Sequence, residues 1–226
     1  MYILCLLLIS SLAAFAAESK SEVAQRLENA ATVLHEIMAT PDKGIPEDLL
    51  DKANCVVIVP GLKKGAFIVG AQYGKGFVTC RKAGAWSAPA AVKIEGGSVG
   101  LQIGAESTDL VLFFMNDRGA RSLVNGSRIT LGGKASVAAG PFGRSGEAAT
   151  NLELKSEIYS YARAKGLFAG ISLEGSRLAP NKQDIANYYG RGVTYKQLLF
   201  GGGPPSMPAE ADEFVKTLPE REMAAQ

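Results

Sequence analysis

Trp86-Ser87-Ala88-Pro89, followed by Gly96-Gly97-Ser98-Val99-Gly100-Leu101-Gln102-Ile103-Gly104, decides how this chain is read. Strand side chains alternate between faces, so Val99, Leu101 and Ile103 point one way and Ser98, Gly100, Gln102 and Gly104 the other. Glycine weakens a strand. A strand with one nearly bare face lets another backbone, a ring or a ligand come close. The turn at Trp86–Pro89 places an indole where it can cover that face.

Further strands lie on both sides of this segment. Upstream, the expected strands are Cys55–Val59, closed by Pro60-Gly61, then Ala66–Tyr73 and Phe77–Arg81 as a hairpin through Gly74-Lys75-Gly76, then Ala90–Ile94. Downstream, Asp109–Met115 is apolar on both faces and should be the most buried. Arg128–Ala139 returns to strand with a Gly132-Gly133 break, and Glu153–Arg163 with Gly166–Glu174 forms another hairpin.

Helices occupy the ends. Ser19–Met38 is amphipathic: Val23, Leu27, Ala30, Leu34, Ile37 and Met38 recur at helical spacing, and Ser19 and Glu22 have capping-box spacing. Its apolar face can dock on the core or lie on a membrane. Shorter helices are expected at Pro46–Ala53, Asn116–Val124, Lys182–Tyr189 and Thr194–Phe200. Closely spaced strands with terminal helices and glycines inside strands predict an α+β fold with a strongly curved, mainly antiparallel, barrel-like sheet.

The chain has 226 residues and a net charge of +2, so bulk charge selects no partner. Ile3–Ala17 carries no charge and contains Ala14-Phe15-Ala16, which reads as a signal peptide over residues 1–17 and predicts an exported protein, periplasmic or extracellular, able to associate with membranes. The run falls short of the roughly 20 apolar residues of a spanning helix. Residues 18–200 then form one domain. Residues 201–226 form a linker, Gly201-Gly202-Gly203-Pro204-Pro205, and a tail that is a short acidic helix or loose chain. Cys55 and Cys80 sit at strand ends; export permits a disulfide, but two buried, unpaired thiols are the slightly preferred reading.

Catalytic motifs fail on inspection. Gly96-Gly97-Ser98-Val99-Gly100 fits G-x-S-x-G, but a strand rather than a helix follows Ser98, and the one histidine, His35, lies upstream. No Cys/His cluster suggests a metal, no phosphate loop occurs and no cofactor is expected. Asn125-Gly126-Ser127 is a glycosylation sequon, meaningful only in a eukaryotic secretory pathway. Basic residues cluster at expected turns and strand ends: Lys63 and Lys64, Arg81 and Lys82, Arg144, and Arg163 with Lys165. Gathered on one rim, they would suit phosphate headgroups. Nucleic acid is not indicated, because no basic stripe or aromatic platform accompanies them.

Several segments, in order, resemble the SYLF domain family of yeast actin-binding-type lipid-binding proteins. They are Gly44-Ile45-Pro46-Glu47-Asp48-Leu49-Leu50-Asp51-Lys52-Ala53, Val56-Val57-Ile58-Val59-Pro60, Gly74-Lys75-Gly76, Trp86-Ser87-Ala88-Pro89, Gly100-Leu101-Gln102-Ile103-Gly104, Asp109-Leu110-Val111, Ala138-Ala139-Gly140-Pro141-Phe142-Gly143-Arg144, Tyr159-Ser160-Tyr161-Ala162-Arg163-Ala164-Lys165-Gly166-Leu167-Phe168-Ala169-Gly170 and Asn187-Tyr188-Tyr189-Gly190. The resemblance covers roughly Val23–Phe200. It implies a non-catalytic domain that binds lipid, phosphoinositides in eukaryotic members, through an amphipathic N-terminal segment and basic residues. Anionic phospholipid is the partner expected of an exported member; actin rests on the resemblance alone. The expected lipid-binding residues are Val23, Leu27, Leu34, Ile37 and Met38 on the helix, with Lys63, Lys64, Arg81, Lys82, Arg144, Arg163 and Lys165. The alternative is an envelope carrier or structural domain that encloses an apolar ligand in its curved sheet.

Overall fold

The computed structural model describes residues 2–39, 45–66, 69–82, 84–99, 104–116, 121, 125, 128–131, 137–139, 158–164, 167–171, 173 and 175–219. Gly100–Ile103, Arg144, Lys165 and most of the helix expected at Asn116–Val124 lie outside them. Helix α1 spans Tyr2–Ala39 and α2 spans Glu47–Lys52. The strands are β1 Cys55–Ala66, β2 Val69–Lys82, β3 Ala85–Trp86, β4 Ala90–Val99, β5 Gly104–Phe114, β6 Ile129–Thr130, β7 Val137–Ala139, β8 Ile158–Ala164, β9 Leu167–Gly170 and β10 Arg177–Pro180. Helices α3 Lys182–Tyr189, α4 Tyr195–Phe200 and α5 Ala209–Lys216 close the chain.

The strands form one curled sheet in the order β6-β10-β4-β2-β1-β5-β8-β7, with β3 on β2 and β9 on β8. Every described pairing is antiparallel except β7 with β8. The result is the expected α+β half-barrel with an N-terminal helix and short C-terminal helices.

The hairpin expected at Gly74-Lys75-Gly76 is instead the middle of one 14-residue strand, β2. These glycines are there for close approach. A Cβ on Gly74 would lie 2.6 Å from Val59 Cγ1, and one on Gly76 would lie 2.0 Å from the Ile58 carbonyl oxygen. The bare positions let β1 fold over β2, which is how a sheet curls tightly.

Strand β1 likewise does not stop at Pro60-Gly61. It continues to Ala66, so Lys63 and Lys64 lie in a strand and not in a turn. Val59 pairs with Leu110 and Leu62 with Thr108, leaving two β1 residues opposite Asp109 alone. This one-residue bulge reverses the alternation beyond it. Lys63 therefore shares a face with Ile58, while Lys64 points to the other side.

The opening segment divides between two strands. Val99 ends β4, opposite Val69, and Gly104 begins β5, opposite Ala66. What approaches Gly96 is backbone: a Cβ there would lie 2.8 Å from Ser176 Cα, just before β10. Trp86 does not cover this face. It lies at the opposite end of β2, paired with Arg81, and its Nε1 donates 2.9 Å to the Pro219 carbonyl.

Cys55 and Cys80 are directly opposed cross-strand partners joined by a disulfide, which corrects the preferred unpaired reading. The tail also packs, as its helical alternative. Ala211 and Phe214 of α5 are fully buried, with the Phe214 ring 6.4 Å from Phe77, and α5 lies against α1.

Helix α1 lies across β1 and β2 between α3 and α5. It runs through Ser19 and Glu22, so the capping-box pair is interior to the helix. Val23, Leu27, Ala30, Val33, Leu34 and Ile37 are all buried. Residues 110–114 of β5 are buried on both faces, as its sequence requires. Val57, Val59, Val78, Leu110 and Leu112 fill the side facing away from α1. No helix among the described residues is long and apolar enough to cross a membrane.

Candidate functional site

A polar groove of about 1000 Å³ opens between α1 and the bulged end of the sheet. In β2, Tyr73, Lys75 and Phe77 share the face that α1 covers, so this face changes from apolar to polar along the strand. Lys63 is the register partner of Tyr73 and joins the same face because the bulge has reversed its parity. From α1 come residues of its polar edge, including Glu22, Gln25, Arg26 and Asn29.

Most charges around the groove neutralise one another. Asp184, in the first turn of α3 with its N–H donating to Asn181 Oδ1, has a side chain only 5% exposed. Its two oxygens accept from Arg26 of α1 at 2.8 Å and Lys75 of β2 at 3.2 Å. Asp109 faces the bulge, where its Oδ1 accepts the Gly61 N–H at 2.9 Å. Its Oδ2 pairs with Arg163 of β8 at 2.5 Å, and the same guanidinium pairs with Glu36 of α1. Two ion clusters thus tie α1 to the sheet at points ten residues apart on the helix, about 15 Å by helical rise. Of the charged and aromatic residues lining the groove, exposed Lys63 on β1, exposed Glu22 on α1 and Tyr73, which is 46% exposed, lie outside these clusters. Neither Lys63 nor Glu22 has an ion pair among the described residues.

The residues expected to bind lipid do not form one surface. Val23, Leu27, Leu34 and Ile37 are core residues, while Met38 is 38% exposed. Lys63 and Arg163 line the groove. Lys64 lies on the opposite face, between Gln72 and Glu106 in register. Arg81 and Lys82 occupy the other end of β2, about 26 Å from Tyr73 by strand rise. There the Arg81 guanidinium lies 4.2 Å over the Trp86 ring and donates to the Leu50 carbonyl, while Lys82 donates to the Gly201 carbonyl. The single basic rim is therefore corrected to two separated ends, because β2 is one long strand rather than a hairpin.

Sequence reasoning did not single out Asp184, Lys75, Glu36 or Tyr73. The available signal was Tyr73 and Lys75 alternating with glycine, which marks a strand with a bare back and a polar front. Among the described residues no cluster could hold a metal ion, and His35 is exposed.

The family described as "Ysc84: Las17-binding protein actin regulator" matches residues 95–221. The chain belongs to the Ysc84 family. It is 38% identical over 179 residues to SH3 domain-containing YSC84-like protein 1 of Homo sapiens, an alignment covering 79% of this chain and 52% of that protein. It is 37% identical over 183 residues to Protein YSC84 of Saccharomyces cerevisiae, covering 80% of this chain and 38% of the yeast protein. LAS seventeen-binding protein 3 of Saccharomyces cerevisiae is likewise 37% identical over 183 residues, 80% of this chain and 39% of its own length. The chain spans about half or less of these relatives. Ysc84 membership extends through α5, since the matched residues run past Lys216. The groove is built partly inside the matched region, from Asp109, Arg163 and Asp184, and partly before it, from α1, β1 and β2.

Proposed function

We propose that this chain is a non-catalytic, peripheral lipid-binding domain that meets an anionic phospholipid surface with α1 still docked. The observation that carries this reading is the open polar groove with exposed Lys63 and Tyr73 at its sheet side, in a family whose resemblance implies lipid association. Each lysine or arginine near an anionic surface contributes about 1 kcal/mol. Exposed Lys63 supplies attraction at the groove that weakens with salt, while Lys64 and Lys82 lie on the other face and at the other end of the sheet. Insertion of the α1 apolar face is disfavoured energetically. Burying a Val, Leu or Ile side chain stabilises by about 1.5–3 kcal/mol, and lifting α1 would uncover both its own face and the apolar part of β1 and β2 beneath it. A membrane could compensate only the helix. The enclosed-ligand alternative has less support, because Val57, Val59, Leu110 and Leu112 fill the space on the other side of the sheet.

Export remains part of the proposal. The uncharged stretch Ile3–Ala17 and the Cys55–Cys80 disulfide both favour an oxidising compartment. One yeast relative is named for binding Las seventeen, and the family description names a Las17-binding actin regulator.

Vesicle co-sedimentation tests the reading. Binding should rise with the fraction of phosphatidylglycerol in phosphatidylcholine vesicles and fall with salt. Binding that ignores both, or no binding at any fraction, would refute it.

A further inference from the structure

We propose that the groove beside α1 is a subsite for a zwitterionic phospholipid headgroup of the phosphoethanolamine type, with a phosphate joined by a short carbon tether to an ammonium. This rests on the lipid-surface reading and goes beyond its anionic attraction.

The inference follows from what remains after the internal ion pairs are removed. Arg26, Lys75 and Arg163 line the groove, but Asp184, Asp109 and Glu36 already hold them. An anion that drew Arg26 and Lys75 away would leave Asp184, 4% exposed, buried without a counter-charge, an arrangement that strongly destabilises proteins. A headgroup bearing several phosphates is therefore poorly matched to these cations. Lys63, Glu22 and the open ring of Tyr73 remain: one cation, one anion and one aromatic face, without described ion pairs, around one groove. That set complements a molecule carrying one negative and one positive charge.

Lys63 and Tyr73 are cross-strand partners, so their Cβ atoms stand about 5 Å apart. A phosphate on the Lys63 ammonium places a tethered ammonium at the Tyr73 ring, where the cation–π attraction acts. Glu22 approaches from α1 across the groove to complete the cation's surroundings. Because Glu22 is on α1 and the other two are on the sheet, the subsite exists only while α1 is docked. Headgroup binding therefore holds α1 in place.

Glycerophosphoethanolamine, a soluble headgroup, is titrated into the full chain by NMR. Glycerophosphoglycerol, which lacks the ammonium, is the comparator, and vesicle co-sedimentation runs in parallel. The expected result is saturable shifts at Lys63, Tyr73 and Glu22, with glycerophosphoethanolamine binding at least several-fold tighter. Tyr73→Ala should weaken it roughly 2- to 30-fold, the range of one cation–π contact, and Glu22→Gln should also weaken it. Exposed Tyr73 and Glu22 make these variants tolerable, and unchanged circular dichroism verifies their folding. Equal affinity for both probes, insensitivity to Tyr73→Ala, or no saturable groove shift would overturn the subsite. If vesicles still bind in a charge-dependent way, that failure belongs to the subsite alone. If the headgroup binds and vesicles do not, the surface reading fails instead.

Discussion

Replacing Leu27 by alanine tests whether α1 is a structural helix. Leu27 has no exposed surface and lies midway along the buried stripe that includes Val23, Ala30 and Leu34. The β1 and β2 strands beneath are paired along most of their length and joined by the Cys55–Cys80 disulfide, so the site collapses little around the lost atoms. Leucine truncation in such a core costs about 2–5 kcal/mol, and a central value of about 3 kcal/mol is expected. With a urea slope of about 2 kcal/mol per molar, the unfolding midpoint should fall by about 1.5 M. Trp86, the single tryptophan and 9% exposed, reports the transition by fluorescence. Glu28→Ala, one residue along on the exposed side, should change stability by less than about 0.5 kcal/mol. Equal, small shifts for both variants would refute the docked-helix account, because only a helix free of the core treats these positions alike.

Other perturbations test the remaining architecture. Asp184→Asn should lower stability by about 2–4 kcal/mol in urea, somewhat below a fully buried pair because Lys75 is one-third exposed; a neutral result would contradict the clamp on α1. Gly76→Ala drives a Cβ into the Ile58 carbonyl and should cost about 1–3 kcal/mol, whereas Gly65→Ala, with nothing within 4 Å, should be nearly silent; equal midpoints would sink the close-approach argument. Burial raises the phenols of Tyr161, Tyr188, Tyr189 and Tyr195 above their usual value. The unfolded chain releases these protons near pH ~10 while the fold retains them, so their contribution is complete below that pH and is lost as pH rises further. Tyrosinate absorbance should therefore show a late fraction that ionises together with loss of circular dichroism; reversible ionisation of every tyrosine near pH ~10 in the folded protein would contradict it.

Patterns that depend on local periodicity were legible in the sequence. The α1 stripe, β5, α3 and α4 fall close to where the sequence places them, and Asn181 and Thr194, not singled out there, cap the starts of α3 and α4. What misled was glycine. Gly74, Gly76 and Gly61 read as turn punctuation, yet two permit β1 to press onto β2 and the third forms a bulge inside a long strand. Turn chemistry and close approach use the same residue, and only the partner strand distinguishes them. The misreading carried into the site. Dividing β2 at Gly74–Gly76 made Lys63 and Arg81 neighbours at one rim, whereas the intact strand separates them by about 26 Å. The ion clusters were hidden for another reason: Arg26 and Asp184 are 158 residues apart in the chain, and no local pattern links them.

The most direct test of a lipid surface met by a docked α1 is a distance measurement by paired spin labels. One label replaces exposed Glu28 on α1 and the other exposed Lys196 on α4, with Cys5 changed to serine and the disulfide intact. The distance is compared in the free protein and on phosphatidylglycerol-containing vesicles. An unchanged distance distribution on binding is the predicted result. A shift to longer distances would mean that α1 leaves the sheet to enter the membrane, and would contradict the account.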